Sequence, residues 1–195
     1  MSRSNPPARL YHHGNLRQAL LDAAFQLLAD TPAHQLSLRE LTRTAEVSHT
    51  APYHYFEDRT GLIKAVGVEC MKRFLLAQQE AVAQHSAALD QLVALGMAYI
   101  RFAADEPHAF ALIYDPQICP PGQPSDEMAP LIAANEALLG TCVANAQAAG
   151  VLPGHQPQPL ATALWGAVHG LAQLVMAGHL PLDAADPALR ALVRT

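Results

Sequence analysis

The sequence predicts an all-α protein, and three observations support that fold class. Alanine and leucine dominate the chain, while strand-forming residues are sparse. Apolar residues recur at helical spacing in several segments, with capping residues, prolines or glycines at the segment ends. The hydrophobic share of 51% and the charged share of 15% provide enough apolar material for a sizeable core and exclude disordered and collagen-like classes.

The first three predicted helices are short. The first begins near Asn15, a suitable N-cap, and ends before Pro32. The second begins at residues 37–40 (Ser-Leu-Arg-Glu), which have the form of a capping box, and extends for about two turns. A four-residue turn, residues 45–48, then precedes a third short helix with Pro52 in or near its first turn.

The rest of the chain is predicted to form longer helices joined by proline-rich loops. Asp58 is expected to cap a long helix that reaches about Gln84. Further helices are predicted over residues 87–104, 107–114, 128–149 and 160–177, and Pro187 is expected to open a short terminal helix. The stretches 116–130 and 153–159 are rich in proline and glycine and are predicted loops.

The charge is divided unevenly along the chain. Residues 1–75 hold nine lysines and arginines against seven aspartates and glutamates, a net +2, while residues 76–195 hold three against ten, a net −7. A mildly basic head on an acidic body is expected when only the head meets a polyanion. No apolar run approaches the roughly 18 residues of a transmembrane helix, and residues 1–7 lack the apolar segment of a secretory signal, so a cytoplasmic location is expected.

Three short helices followed by a long one, with a tight turn between the second and the third, are typical of a helix-turn-helix domain. The residues of this region resemble the TetR family of one-component transcriptional regulators, in the segments 37–42 (SLRELT), 45–48 (AEVS) and 53–62 (YHYFEDRTGL). The segments 11–17 (YHHGNLR) and 165–170 (WGAVHG) resemble a subgroup with a Trp-x-x-x-His-Gly signature in its C-terminal domain.

The resemblance covers nearly the whole chain and implies three parts. These are an N-terminal arm over residues 1–12, a helix-turn-helix DNA-binding domain over 13–60, and a helical ligand-binding and dimerisation domain over 61–195. The implied protein is a homodimeric regulator that binds double-stranded operator DNA.

The predicted recognition helix has no lysine or arginine between His49 and Phe56. Base recognition is therefore expected from hydrogen bonds and thymine-methyl contacts made by His49, Thr50, Tyr53 and His54. Phosphate positioning is expected from Arg39, Thr42, Arg43, Tyr53, Arg59 and Lys64, and Ser37 completes the predicted DNA-binding set. Arg3 and Arg9 of the arm are expected near the minor groove or neighbouring phosphates.

An effector site is implied within the C-terminal domain, and its apolar residues with little charge favour an uncharged or weakly charged, partly hydrophobic molecule. The candidate ligand-binding residues are Met97, Phe102, His108, Phe110, Tyr114, Trp165 and His169, with Tyr99 beside them. A homodimer is predicted through residues 128–149 and 160–178, because one helix-turn-helix unit covers little DNA and small residues allow close helix packing. Its candidate interface residues are Leu164, Gly166, Gly170 and Leu174.

Enzymatic chemistry has no positive signal in the sequence. Neither a Gly-x-Ser-x-Gly elbow nor a His-Glu-x-x-His zinc motif is present, and the one Glu-x-x-His pair lies in the helix-turn-helix turn. No catalytic residue, metal or cofactor is therefore predicted. The expected function is a repressor that a small molecule releases from a palindromic operator. The alternative is a helical protein-interaction module, or a small-molecule-binding protein, with no role at DNA.

Overall fold

The computed structural model describes residues 16–193. Within that range the chain forms α-helices, short 3-10 helices and loops, and no β-strand, which confirms the predicted fold class. The α-helices are α1 (Leu16–Leu28), α2 (Leu38–Thr44), α3 (Arg59–Ala83), α4 (Ala88–Asp105), α5 (Pro107–Ile113), α6 (Ala129–Ala148), α7 (Pro157–Met176) and α8 (Ala185–Leu192). The 3-10 helices are Ala33–Gln35, Ala51–His54 and Leu182–Ala184.

We call residues 16–60 the head. Its helices α1 and α2 and the 3-10 helix at residues 51–54 bury a small apolar core that includes Leu20, Leu41 and Phe56. Asp58 caps α3 as predicted, because its Oδ1 accepts a hydrogen bond from the Gly61 amide at 2.7 Å. The predicted cap of the first helix, Asn15, lies outside the described residues.

One local prediction in the head is wrong and another is confirmed in part. Ser37 is the N-cap of α2, but its side chain makes no capping hydrogen bond, so the capping box does not form. Glu40 instead pairs with Arg43 one turn later on the same helix, at 3.5 Å. The third helix begins with Pro52 in its first turn as predicted, but it is a 3-10 helix of four residues, 51–54, and is shorter than predicted.

We call residues 61–193 the body. Helix α4 lies at its centre and packs against α3, α6, α7 and α8, which leaves Ile100 and Ala103 without exposed surface. The predicted ends of α4, α5 and α6 agree with the structure within a few residues. Helix α7 begins three residues before its predicted start, because Pro157 and Pro159 occupy its first turn, where no amide donor is needed.

Side-chain contacts join the head to the body along α1. Arg73 of α3 pairs with Asp22 of α1, and its guanidinium carbon lies 4.2 Å from the centre of the Phe25 ring. Arg17 of α1 lies 3.9 Å from Glu127 in the loop before α6. The head therefore packs directly on the helices of the body, and α3 belongs to both.

Candidate DNA-binding surface and interior ligand site

The turn after α2 is a Schellman motif. Glu46 adopts the left-handed conformation, with a φ of 54°. The amide of Val47 donates to the Thr42 carbonyl at 2.9 Å, and the amide of Glu46 donates to the Arg43 carbonyl at 3.2 Å. This backbone geometry ends α2 and directs the chain into the segment 49–54, where base contacts are predicted.

Most of the predicted DNA-binding side chains are exposed. Ser37, Arg39, Arg43, His49, Thr50, Tyr53, His54, Arg59 and Lys64 all lie at the surface. Tyr53 is the extreme case, because 62% of this large aromatic residue is exposed. An exposed tyrosine in a turn of this kind is suited to contact a partner such as a phosphate, since its hydroxyl can donate a hydrogen bond.

Thr42 differs from its predicted role in phosphate positioning. It is 1% exposed, because it faces the inside of the α2 turn. Its hydroxyl donates to the Arg39 carbonyl and contacts Nδ1 of His49, both at 3.1 Å. Since the single hydroxyl proton is used on the carbonyl, the ring of His49 is the donor at Nδ1. The other ring nitrogen, Nε2, is then an acceptor in neutral His49 and is free to meet a base edge.

Arg59 and Arg43 have intramolecular partners as well as exposed side chains. One guanidinium nitrogen of Arg59 donates to the carbonyls of Ala33 and His34, at 3.2 and 2.7 Å, and so ties the start of α3 to the segment between α1 and α2. Arg43 pairs with Glu40 on the surface of α2. Their predicted phosphate contacts stay predictions, and both residues also brace the head.

An aromatic cluster fills the interior of the body. Phe74, Tyr99 and Phe110 contact one another edge to face, with ring centroids 5.0–6.0 Å apart. The ring of His169 stacks on Phe110 at 5.8 Å and meets Tyr114 at 5.0 Å. The structure therefore brings together three predicted ligand-site residues from α5, its C-terminal end and α7.

A chain of hydrogen bonds runs through this cluster. Gln173 Nε2 lies 3.4 Å from His169 Nε2, and His169 Nδ1 lies 2.8 Å from the Tyr99 hydroxyl, which in turn lies 2.7 Å from the Tyr114 hydroxyl. Because the Gln173 amide nitrogen can only donate, His169 Nε2 accepts and Nδ1 donates to Tyr99. Burial lowers the pKa of His169 and raises the pKa of both tyrosines, so the whole chain is neutral near pH 7.

A small cavity of about 40 Å³, which we call the interior cavity, lies beside Tyr99, between α3, α4, α6, α7 and α8. It is lined by Gln78, Leu92, Val93, Leu95, Gly96, Tyr99, Asn135, Leu139, Leu164, Trp165, Val168, Leu189, Leu192 and Val193. A typical ligand site encloses roughly 300–1,000 Å³, so a ligand of ordinary size must enlarge this cavity to bind in it.

Phe102 also joins the aromatic cluster, because it is buried and its ring meets that of Phe74 edge to face at 5.1 Å, and it borders a polar cleft between the head and the outer side of α4 as well. Met97 lines that cleft and not the interior cavity. His108 is half-buried at the start of α5 and lines neither of the two. Trp165 lines the interior cavity beside Tyr99, although 46% of it is exposed.

Sequence reasoning missed Gln78 and Asn135. Gln78 is 3% exposed and lies at the cavity, where its amide nitrogen donates to Asn135 Oδ1 at 2.9 Å. A signal for Gln78 exists in the sequence, because it continues the fourfold spacing of Val66, Cys70 and Phe74 along the buried face of α3. A polar residue at such a position indicates a buried polar contact.

Helix α7 presents an unusually apolar outer face. Leu174 and Trp165 are 45% and 46% exposed, and a side chain added at Gly166 or Gly170 would meet no atom within 4 Å. Of the residues described, α7 is the one helix long and apolar enough to cross a membrane by length and composition. Leu164, a predicted interface residue, is 6% exposed and packs inside its own chain.

Two family models match the chain. The model described as "Bacterial regulatory proteins, tetR family" matches residues 20–66, and the model described as "Tetracyclin repressor-like, C-terminal domain" matches residues 92–195. The HTH-type transcriptional regulator BetI of Yersinia pestis is 34% identical over 73 residues, 37% of this chain. Those residues are 35% of BetI, so the chain spans about a third of the length of the curated relatives it matches.

Solved structures share the whole architecture. A protein of unknown function from Rhodococcus sp. RHA1 is 31% identical, with a TM-score of 0.79 over 96% of this chain and 100% of that one. The transcriptional regulator FadR of Bacillus subtilis, crystallised in complex with stearoyl-CoA, has a TM-score of 0.67 at 16% identity. That likeness covers 91% of this chain and 97% of FadR and concerns the fold alone.

Proposed function

Since this chain belongs to the TetR family of bacterial regulatory proteins, we propose that it is a repressor that a small molecule releases from a palindromic operator. The family is one of DNA-binding transcriptional regulators, which supports DNA binding as the activity of this chain. It disfavours the alternative of a helical protein with no role at DNA. We propose in addition that the chain represses transcription, that a small molecule releases it from DNA and that its operator is palindromic.

The observation that supports DNA contact by the head is the arrangement around His49. Its ring is exposed, held at Nδ1 by buried Thr42 and open at Nε2. A side chain fixed in this way can distinguish base edges, because a neutral Nε2 accepts a hydrogen bond from the amino group of adenine or cytosine. We assign base contacts to His49, Thr50, Tyr53 and His54, and phosphate contacts to Arg39, Arg43, Arg59 and Lys64.

The outer face of α7 supports a homodimer. Exposed apolar side chains beside glycines that leave open space are suited to close packing against a second copy. Such a dimer, formed through α6 and α7, places two heads on one operator. It also covers the apolar outer face of α7, and it assigns Gly166 and Gly170 to the interface between subunits.

Release by a ligand follows from the position of α3. Its first residues, Arg59 and Thr60, belong to the head, its C-terminal part lines the interior cavity through Gln78, and Arg73 pairs with Asp22 of α1. A molecule that enlarges the cavity therefore pushes on a helix that also positions the head. The ligand must bind more tightly to the conformation whose head spacing does not fit the operator. A ligand with equal affinity for the fitting and the non-fitting conformation would not shift the equilibrium between them. The complex of FadR with stearoyl-CoA supports ligand binding by this fold.

A mobility-shift titration with the DNA upstream of the protein's own gene tests the proposal. We expect a salt-sensitive, sequence-specific complex with two protomers per site, and a dimer by light scattering at micromolar concentration. Equal affinity for upstream and unrelated DNA, or a monomer at that concentration, would contradict it.

A further inference from the structure

The amide of Gln78 has an unused hydrogen-bonding group in the interior of the body. Its Nε2 donates both protons, one to the Phe74 carbonyl at 3.2 Å and one to Asn135 Oδ1 at 2.9 Å. Its Oε1 makes no hydrogen bond with residues 16–193, and among those residues the one buried side-chain oxygen without a partner is Glu106 Oε2, so Gln78 Oε1 keeps accessible surface where Gln78 lines the cavity. An accessible carbonyl oxygen without a protein donor is suited to accept a hydrogen bond from a molecule bound in the cavity.

The cavity beside this amide pair has no charged lining. Among residues 16–193, its lining includes no aspartate, glutamate, lysine, arginine or histidine, and its remaining walls are mainly leucine and valine. Arg101, the one cation in the sequence between residues 74 and 189, lies on the separate outer cleft. The hydroxyl of Tyr99 is already engaged with Tyr114 and His169. An ionic group would therefore enter without a counter-charge, at a large desolvation cost.

We propose that Gln78 and Asn135 form the polar end of the effector site, and that the effector is an uncharged, mainly apolar molecule with a single head group that both donates and accepts hydrogen bonds. The head group donates to Gln78 Oε1 and accepts from the Asn135 amide. A primary amide or an alcohol meets that requirement, and a carboxylate or an ammonium does not. This inference rests on the proposed function for its link to DNA release, but not for binding itself.

Helix α8 is the wall of the cavity that we expect to move for such a molecule. It is eight residues long and contributes Leu189 and Leu192 to the cavity. Leu189 packs into the space beside Gly96, where an added Cβ would lie 2.9 Å from its side chain. An ion pair of Arg190 with Asp90, at 3.0 Å, holds α8 against α4. Outward movement of α8 makes room for the apolar part of the molecule, while its head group contacts α3 through Gln78.

Calorimetric titration of the full-length protein, without DNA, tests the site with four eight-carbon probes of matched apolar length. Octanamide and octan-1-ol are expected to bind, and octanoate and octylammonium at pH 7.5 are expected to bind at least about tenfold more weakly. Gln78→Leu is expected to weaken octanamide binding about tenfold, because it removes the acceptor and keeps the volume. Gln79→Leu, at the exposed neighbouring position, is the matched control and is expected to bind as wild type.

Asn135→Leu provides a second variant, so that poor folding of one substitution leaves the other to be measured. Octanoate binding as tight as that of octanamide, no binding of either neutral probe, or wild-type octanamide affinity in a folded Gln78→Leu or Asn135→Leu protein overturns the proposal. If octanamide binds as expected but leaves a specific operator complex unchanged, the ligand class stands and the proposed release is wrong.

Discussion

Two histidines, one in the head and one in the body, are both held through Nδ1 by a hydroxyl oxygen, yet they have different uses. His49 is exposed and held on one side by Thr42, which leaves Nε2 open. His169 is half-buried, and both of its ring nitrogens have partners, Tyr99 and Gln173. The two histidines therefore differ at the second ring nitrogen, Nε2. In His49 this nitrogen is oriented and available for a hydrogen bond to a base, while in His169 it is bonded to Gln173 and holds the interior in order.

The two regions also expose different chemistry. The head presents polar and basic side chains around a small core, and residues 1–75, which contain the head together with the N-terminal arm and the first turns of α3, carry a net +2. The body is net negative, and its exposed α7 face is apolar. This division is consistent with one region that meets a polyanion and another that meets a second copy of itself.

Introducing a charge at the α7 face tests this division with the largest expected effect. In Gly170→Glu the new side chain meets nothing within its own protomer, so the fold is preserved while the dimer face gains a repulsive charge. We expect a monomer by light scattering and a loss of operator affinity of at least about 100-fold, because two linked heads bind far more tightly than one. Ala111→Glu, at an exposed position on α5, is the control and should remain dimeric.

The hold on His49 is tested by Thr42→Val, which removes the hydroxyl and keeps the shape. We expect base preference to relax by about tenfold at one position in each half-site, because the His49 ring loses its fixed orientation. Competition binding against a library of operator variants measures this. Lys64→Ala, by contrast, should weaken binding to all sequences alike and reduce the salt dependence. A wild-type profile in Thr42→Val would mean that Thr42 does not orient His49 on DNA.

The pH dependence of stability tests the histidine of the body. Burial lowers the pKa of His169, so the unfolded chain takes up a proton near pH 6.5 that the folded chain resists. The stability associated with neutral His169 is therefore full above pH 6.5 and is lost as the pH falls from that value toward the lowered one. Thermal melts of His169→Gln should show a smaller decrease in Tm between pH 7.5 and 5 than wild type, by a few degrees. Identical pH slopes would contradict this.

The smallest expected effect is the change in stability on replacing Glu106. Its Oε2 is buried without a hydrogen-bond partner within the described part of the chain, and burial raises its pKa, with Asp105 adding to the shift and Arg73 opposing it. A raised carboxyl pKa destabilises the folded state at neutral pH and ceases to do so once both states are protonated. Glu106→Gln should therefore gain about 1 kcal/mol or less at pH 7 and nothing near pH 3. Urea melts at the two pH values measure the difference.

The sequence predicted the helices, whose signals are regular apolar spacing and capping residues. It missed features that depend on contacts between residues far apart in the chain. Helical spacing and the Asp58 cap located α3 and α4, and glycine located the end of α6 at Gly150. The Ser37 capping box failed because a side-chain pair on α2 used Glu40 instead. Asn135 and Gln78 are 57 residues apart, so no local pattern could show that they meet. The separation of Met97 from the cavity likewise depends on which face of α4 packs inward.

Hydroxyl-radical footprinting of the upstream DNA is the most direct test of a dimer whose two heads contact an operator. For the wild-type protein we expect two protected half-sites on one face of the duplex, centred about one helical turn apart, roughly 10–10.5 base pairs. Gly170→Glu should lose both protections at the same protein concentration, and Tyr53→Ala should weaken both equally. A single protected half-site for the wild type, or two unchanged half-sites for Gly170→Glu, would contradict a dimer formed through α7.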